Sequence, residues 1–172
     1  MIYKYGEITP DTEKAVFIAD SADIIGDVEL GEDSNIWFNT TLRGDIAPIR
    51  VGKGTNIQDG AILHVNHDMP CIVGDNVTVG HGAIIHAATV KEGCLIGMGA
   101  ILLDECEIGE DSVVGAGSLV TGGKVFPPRS LIIGSPARKI KEISDEDIAK
   151  IRANASEYIA LGKKTAQSNK KQ

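Results

Sequence analysis

The chain has 172 residues, enough for one domain with a buried core and too few for two of ordinary size. Hydrophobic residues make up 42% but aromatics only 4%, so the core must be built from Val, Ile, Leu and Ala rather than from large rings. A net charge of -7 argues against a phosphate-binding surface, which needs clustered Lys and Arg, so nucleic acid is not an expected partner.

The N-terminal MIYKYGEITPDTEKAVF lacks the uninterrupted apolar stretch of a secretion signal. No segment approaches the roughly 20 apolar residues that span a bilayer. No membrane association is expected, and the chain reads as cytoplasmic. Cys71, Cys94 and Cys106 are odd in number and lack CxxC spacing, and they read as small buried thiols.

Along the chain an aliphatic residue recurs at every sixth position. The first block is Leu30, Ile36 and Leu42, the second Val51, Ile57 and Leu63, and the third Val73, Val79 and Ile85. The longest run is Val90, Ile96, Leu102, Ile108, Val114 and Val120, and short insertions or deletions separate the blocks. A period of six fits neither a 3.6-residue helix nor simple alternation. It fits a coil with three short flat sides, in which three hexads make one rung and the aliphatic residues point inward. Rungs stacked at about 4.8 Å then give a triangular prism, a parallel β-helix over residues 1–140. After Gly134-Ser135-Pro136 the pattern changes. Ser144 is placed to cap a helix whose first turn holds Asp145, Glu146 and Asp147, with Ile148, Ile151, Ala155, Tyr158 and Ile159 along one face. The segment 141–172 therefore reads as a C-terminal helix packed along the prism, ending in a polar, frayed TAQSNKKQ.

All four histidines, His64, His67, His81 and His86, fall within 23 positions. His64 follows Leu63 and His86 follows Ile85, so with VNHDMPC looped outward the two occupy the same point on adjacent rungs. Two side chains about 4.8 Å apart on one face can converge on a metal ion whose ligand nitrogens lie about 2.1 Å away. His81 follows Val79 by two positions, stacks over Asp59, and belongs to a different side of the triangle. Packing three prisms around a three-fold axis would bring His81 of one chain to His64 and His86 of the next. Three neutral imidazoles with one open position make a catalytic zinc-type site. Iron(II) or cobalt would suit the same nitrogens. Around them lie Arg43 and Asp45, one rung earlier, and Asn56, Gln58 and Asp59 on the side of His81. Arg43 and Asp45 are expected to pair across the subunit contact, Gln58 to hydrogen-bond a metal-bound hydroxide, and Asp59 to orient Gln58 or accept from Arg43.

The motifs NIWFNTTLRGD, GTNIQDGAILH, VGHGAIIHAATV and LIGMGAILLDECEIGEDSVVGAGSLV, spanning roughly residues 10 to 140, resemble the gamma-class carbonic anhydrases and their close homologues. The resemblance implies left-handed coiling and an all-β, left-handed parallel β-helix of hexapeptide repeats with a C-terminal α-helix. It implies His64, His81 and His86 as metal ligands between subunits of a homotrimer, Arg43 and Asp45 as the intersubunit pair, and Asn56, Gln58 and Asp59 as the surrounding polar network. The implied reaction is reversible hydration of carbon dioxide to bicarbonate, with a metal that lowers the pKa of a bound water to about 7. The best-studied type exports the proton through glutamates, one directly after the RGD-type aspartate and one in an acidic loop. Here Ile46 follows Asp45 and the loop VNHDMPC is short, so slower proton export is expected, with His67 as the candidate shuttle. Two rival readings share the scaffold. One is an acyl-CoA-dependent acyltransferase or thioesterase, for which GSPARKI (134–140) resembles a CoA-side segment. The other is a metal-bound trimer without turnover.

Overall fold

A computed structural model describes residues 1–169. The six-residue repeats coil into a three-sided parallel β-solenoid, followed by one helix, Asp145–Asn169. One side stacks Phe17–Ile18, Asn35–Ile36, Asn56–Ile57, Thr78–Val79, Leu95–Ile96, Val113–Val114 and Ser130–Gly134, all parallel. Two longer strands, Asp23–Leu30 and Thr41–Val51, bend around a corner and so belong to both other sides. The first half of Thr41–Val51 carries Ile62–His64, Ile84–His86, Ile101–Leu102 and Leu119–Val120 above it. Its second half carries Cys71–Val73, Thr89–Val90, Glu107–Ile108 and Val125–Phe126.

The register is the one that the hexads dictate. Leu42, Leu63, Ile85, Leu102 and Val120 lie on one another, as do Ile36, Ile57, Val79, Ile96 and Val114, and Val51, Val73, Val90 and Ile108. All of these point into the prism and are almost fully buried. Each contributes about 1.5–3 kcal/mol by leaving water. Because the prism is narrow, backbones approach closely at the corners, which is where glycine is needed. A Cβ on Gly97 would lie 2.5 Å from the amide nitrogen of Ala116 on the next rung.

The final rung leads through the antiparallel pair Ser130–Gly134 and Ala137–Glu142 to the helix, so GSPARKI forms the turn and second strand of a hairpin. The Ser144 hydroxyl accepts from the Asp147 amide at 3.2 Å and caps the helix. The helix then runs back over the first-named side, from the last rungs to the first. Ile148 and Ile151 pack on Leu95, Val113 and Leu131. Farther along, Tyr158 packs edge-on against Trp37, and Ala166 joins Phe17 and Trp37. The helix continues through Asn169, so residues 165–169, which the sequence suggests are frayed, are helical. Residues 170–172 of the expected frayed tail lie outside the described residues. No helix among the described residues is long and apolar enough to cross a membrane.

Candidate functional site

His64 and His86 end the strands Ile62–His64 and Ile84–His86, one residue beyond the inward Leu63 and Ile85. Alternation along the strand therefore turns both imidazoles outward, and the register pairs them on adjacent rungs. His64 Nδ1 and His86 Nε2 face each other at 3.0 Å. The other nitrogen of each ring meets a carboxylate. His64 Nε2 lies 3.2 Å from Asp45 Oδ1, and His86 Nδ1 bonds to Asp104 Oδ1. An ionised carboxylate only accepts, so each of these outer nitrogens supplies the N–H and each inner nitrogen is left with a lone pair. Two lone pairs at this separation repel unless a cation or a proton stands between them. Two nitrogens about 2.1 Å from a tetrahedral ion would be about 3.4 Å apart, so the pair is spaced within a few tenths of an ångström of a metal chelate.

The local electrostatics favour the ligand form of His64. Burial, and then the Arg43 charge, lower its pKa despite the opposing pull of Asp45. Neutral imidazole is the form that binds metal. Burial pushes the Asp45 carboxyl up, but its backbone hydrogen bond and the Arg43 guanidinium outweigh this and leave it below its ordinary value. Asp104 is likewise held below its ordinary value, chiefly by the hydrogen bond from His86 and next by one from Asn66. Arg43 and Asp45, expected to join two subunits, form an ion pair within one chain. The chain turns sharply after His86. Ala87 has φ +48°, a region that costs an L-residue about 1–2 kcal/mol, and its amide is tied to the His64 carbonyl at 2.8 Å.

His81 sits on another corner, as its position in the hexad requires. Its Nδ1 meets Asp59 Oδ2 at 2.9 Å, leaving Nε2 without a partner among the described residues. Asp59 thus serves His81 rather than Gln58 or Arg43. Gln58 is oriented instead by Asn56, whose Oδ1 accepts from Gln58 Nε2 at 3.1 Å. The network continues inward. Asn56 Nδ2 donates to Thr78 Oγ1 at 2.9 Å, and Thr78 donates to Asn154 of the helix at 3.2 Å. Gln58 and His81 open onto a mainly apolar cavity of about 510 Å³ between the prism and the helix, walled by Leu95, Met98, Val113 and Ile151. His67 is exposed on the loop after Val65, its amide bonded to Asn66 Oδ1 at 2.8 Å.

Within one chain, therefore, the structure joins His64 with His86 and sets His81 apart with Asp59. Among the described residues of a single chain, no three His, Cys, Asp or Glu side chains converge as a metal site. Each of the three histidines nevertheless has one ring nitrogen on an aspartate. This is the usual means of fixing the tautomer of a metal-binding imidazole. Sequence reasoning missed Asp104, Asn66, Thr78 and Asn154. For Asp104 a signal existed, because Leu102 lies above Ile85 and the acid two residues later comes within reach of His86.

Comparisons with known proteins agree with this architecture. Residues 87–122 match the family model described as bacterial transferase hexapeptide (six repeats). A carbonic anhydrase of Geobacillus kaustophilus is 48% identical over 94% of this chain and 89% of its own length. The mitochondrial gamma carbonic anhydrase 2 of Arabidopsis thaliana is 43% identical over 95% of this chain, which spans 61% of that longer relative. A solved structure of a hexapeptide transferase family protein from Anaplasma phagocytophilum superposes with a TM-score of 0.89 at 39% identity, covering 94% of this chain and 96% of that one. With those relatives matched over nearly its whole length and its strands coiled on a six-residue repeat, the chain belongs to the gamma-class carbonic anhydrase-like family of hexapeptide-repeat proteins.

Proposed function

We propose that this protein catalyses the reversible hydration of carbon dioxide to bicarbonate, using a divalent metal of the zinc type held between copies of the chain. The observation that carries the reading is the pair of facing nitrogens on His64 and His86, 3.0 Å apart, each backed by an aspartate. This donor set suits a divalent ion of imidazole preference, zinc, iron(II) or cobalt. The two histidines supply two ligands. His81, whose Nε2 is left free by its bond to Asp59, supplies the third from a neighbouring copy in a homotrimer. When bound, such an ion provides the Lewis acidity that makes water a nucleophile near neutral pH.

The side chains around it have separable tasks. Gln58 is 5% exposed and its amide is fixed by Asn56, so it can hydrogen-bond an oxygen of carbon dioxide or bicarbonate without first being ordered. Asp59 and Asp104 hold His81 and His86 in single tautomers, while Asp45 does the same for His64 and is itself steadied by Arg43. The apolar walls beside Gln58 and His81 suit a small uncharged substrate. For proton export the exposed His67 is the chain's own candidate, since Ile46 has no proton to exchange.

Stopped-flow hydration of carbon dioxide by protein whose metal content has been measured is the direct test. Turnover well above the buffer rate, lost on His64→Ala, is expected. Fully loaded protein no faster than buffer would overturn the reading. The likeness to the hexapeptide transferase family protein of Anaplasma phagocytophilum supports acyl transfer as the second reading, and thermal stabilisation by coenzyme A would favour it.

A further inference from the structure

The loop after Val65 interrupts the hexads at the level of the histidines, and its first side chain reaches past the rung above it. Asn66 Nδ2 donates to Asp104 Oδ2 at 2.8 Å, while its Oδ1 accepts the His67 amide at 2.8 Å. The carbonyl end of this amide is therefore already engaged, which fixes its NH2 end toward Asp104. Asp104 in turn offers its other oxygen to His86 Nδ1. The loop itself is held closed by reciprocal backbone bonds between Asn66 and Met69 at 3.2 and 3.0 Å. Every polar group between the loop backbone and the His86 ring thus has one defined partner and one defined direction.

We propose that Asn66 and Asp104 are positioning residues that lock His86 with its proton on Nδ1, presenting the Nε2 lone pair for metal binding. The proposal rests on the metal-site reading above but makes its own prediction about the metal-free protein. A neutral imidazole in solution exchanges between two tautomers, and one of them would place N–H where a ligand must be. Asp104 excludes that form because a carboxylate needs a donor. Asn66 keeps the carboxylate aimed by occupying its second oxygen. The polar order of the relay also predicts which replacements fail. In Asp104→Asn the new amide has a single acceptor oxygen, sought by both His86 and Asn66, and its own NH2 would face the NH2 of Asn66. Adding Asn66→Asp inverts that second contact. The carboxylate at 66 then accepts from both the amide at 104 and the His67 amide, and the oxygen at 104 is free for His86.

Two measurements on the full-length protein test this. The first is a long-range 1H–15N correlation spectrum of metal-stripped protein at pH 8, with the His86 signals assigned by loss in His86→Gln. The wild type should show His86 protonated on Nδ1, the Asp104→Asn and Asn66→Ala variants a mixture, and the double exchange a return to Nδ1–H. The second is zinc affinity by competition with a chromophoric chelator, expected to fall about 10- to 100-fold in Asp104→Asn and to recover in part in the double exchange. Wild-type protein with His86 protonated on Nε2, or single variants whose tautomer and zinc affinity match the wild type, would overturn the proposal. Loss of affinity that follows melting temperature, without recovery in the double exchange, would overturn it too. Wild-type protein that binds no zinc would instead defeat the metal-site reading and leave the tautomer spectrum to decide this one.

Discussion

At the scale of single residues, the prism makes strong and opposite demands on small side chains. Gly97 is glycine because the backbone of the next rung stands where its Cβ would be, whereas the space beside Gly60 is open and only its φ of +70° calls for glycine. Gly97→Ala should therefore destabilise the protein by roughly 1–3 kcal/mol through overpacking against backbone, measured as a drop in the urea midpoint. Cys71, Cys94 and Cys106 lie in the wall of the core, and burial pushes each thiol up to about 12. The native protein should take up no iodoacetamide at pH 8 and three equivalents once unfolded in guanidinium, as read by intact mass. The histidine register was legible from counting hexads, because stacking in a solenoid is set by chain position alone. Asp104 was not found that way. Its carboxylate meets His86 obliquely, two residues past the inward Leu102, so counting brings it within reach of the ring without giving it as the stacked neighbour. Asn66 was hidden more deeply, since its reach depends on how a loop outside the repeat folds.

At the scale of elements, the stacking within each block of hexads follows from the repeat, because one rule, aliphatic inward at each sixth position, serves all three sides, and the insertions between blocks leave the inward columns aligned. The helix start was equally readable. Ser144 accepts from the Asp147 amide and its hydroxyl lies 2.9 Å from the Asp147 carboxylate, as the local sequence requires. Ser144→Ala should cost about 1 kcal/mol, visible as a lower thermal midpoint with the β signal in circular dichroism unchanged. The far end of the helix was not readable, because what holds it is distant in sequence. Gly162 lies against Phe17 and Asn35, Lys163 pairs with Asp33 at 3.0 Å, and Ala166 joins the Phe17–Trp37 cluster. The hydroxyls of Thr165 and Ser168 bond back to the carbonyls four residues earlier, so the polar composition that suggested fraying is absorbed within the helix.

For the whole molecule, the separation of His81 from His64 and His86 within one chain makes the proposed metal site depend on assembly. If the three ligands meet only between copies, then His81→Ala and His86→Ala variants, each unable to bind zinc, should regain part of the wild-type metal content when mixed and allowed to exchange subunits. Mixed trimers would contain interfaces with all three imidazoles intact. Exchange confirmed by mass spectrometry without any return of bound zinc would remove the shared site.

A stack of rungs whose contacts reach only to the next rung behaves like a zipper, free to open from either end. The returning helix changes this. It touches the last rungs through Ile148 and Ile151, the middle through Asn154 and Thr78, and the first through Tyr158 and Ala166. It acts as a clasp along the zipper's length, so opening any end rung means first lifting a segment that every other rung also holds. Native-state hydrogen exchange should accordingly show nearly uniform protection free energies from the Asn35–Ile36 to the Val113–Val114 strands. Tyr158→Ala, which loosens the clasp at one end, should lower protection first around Phe17 and Trp37 and leave Val113 and Val114 close to their original values.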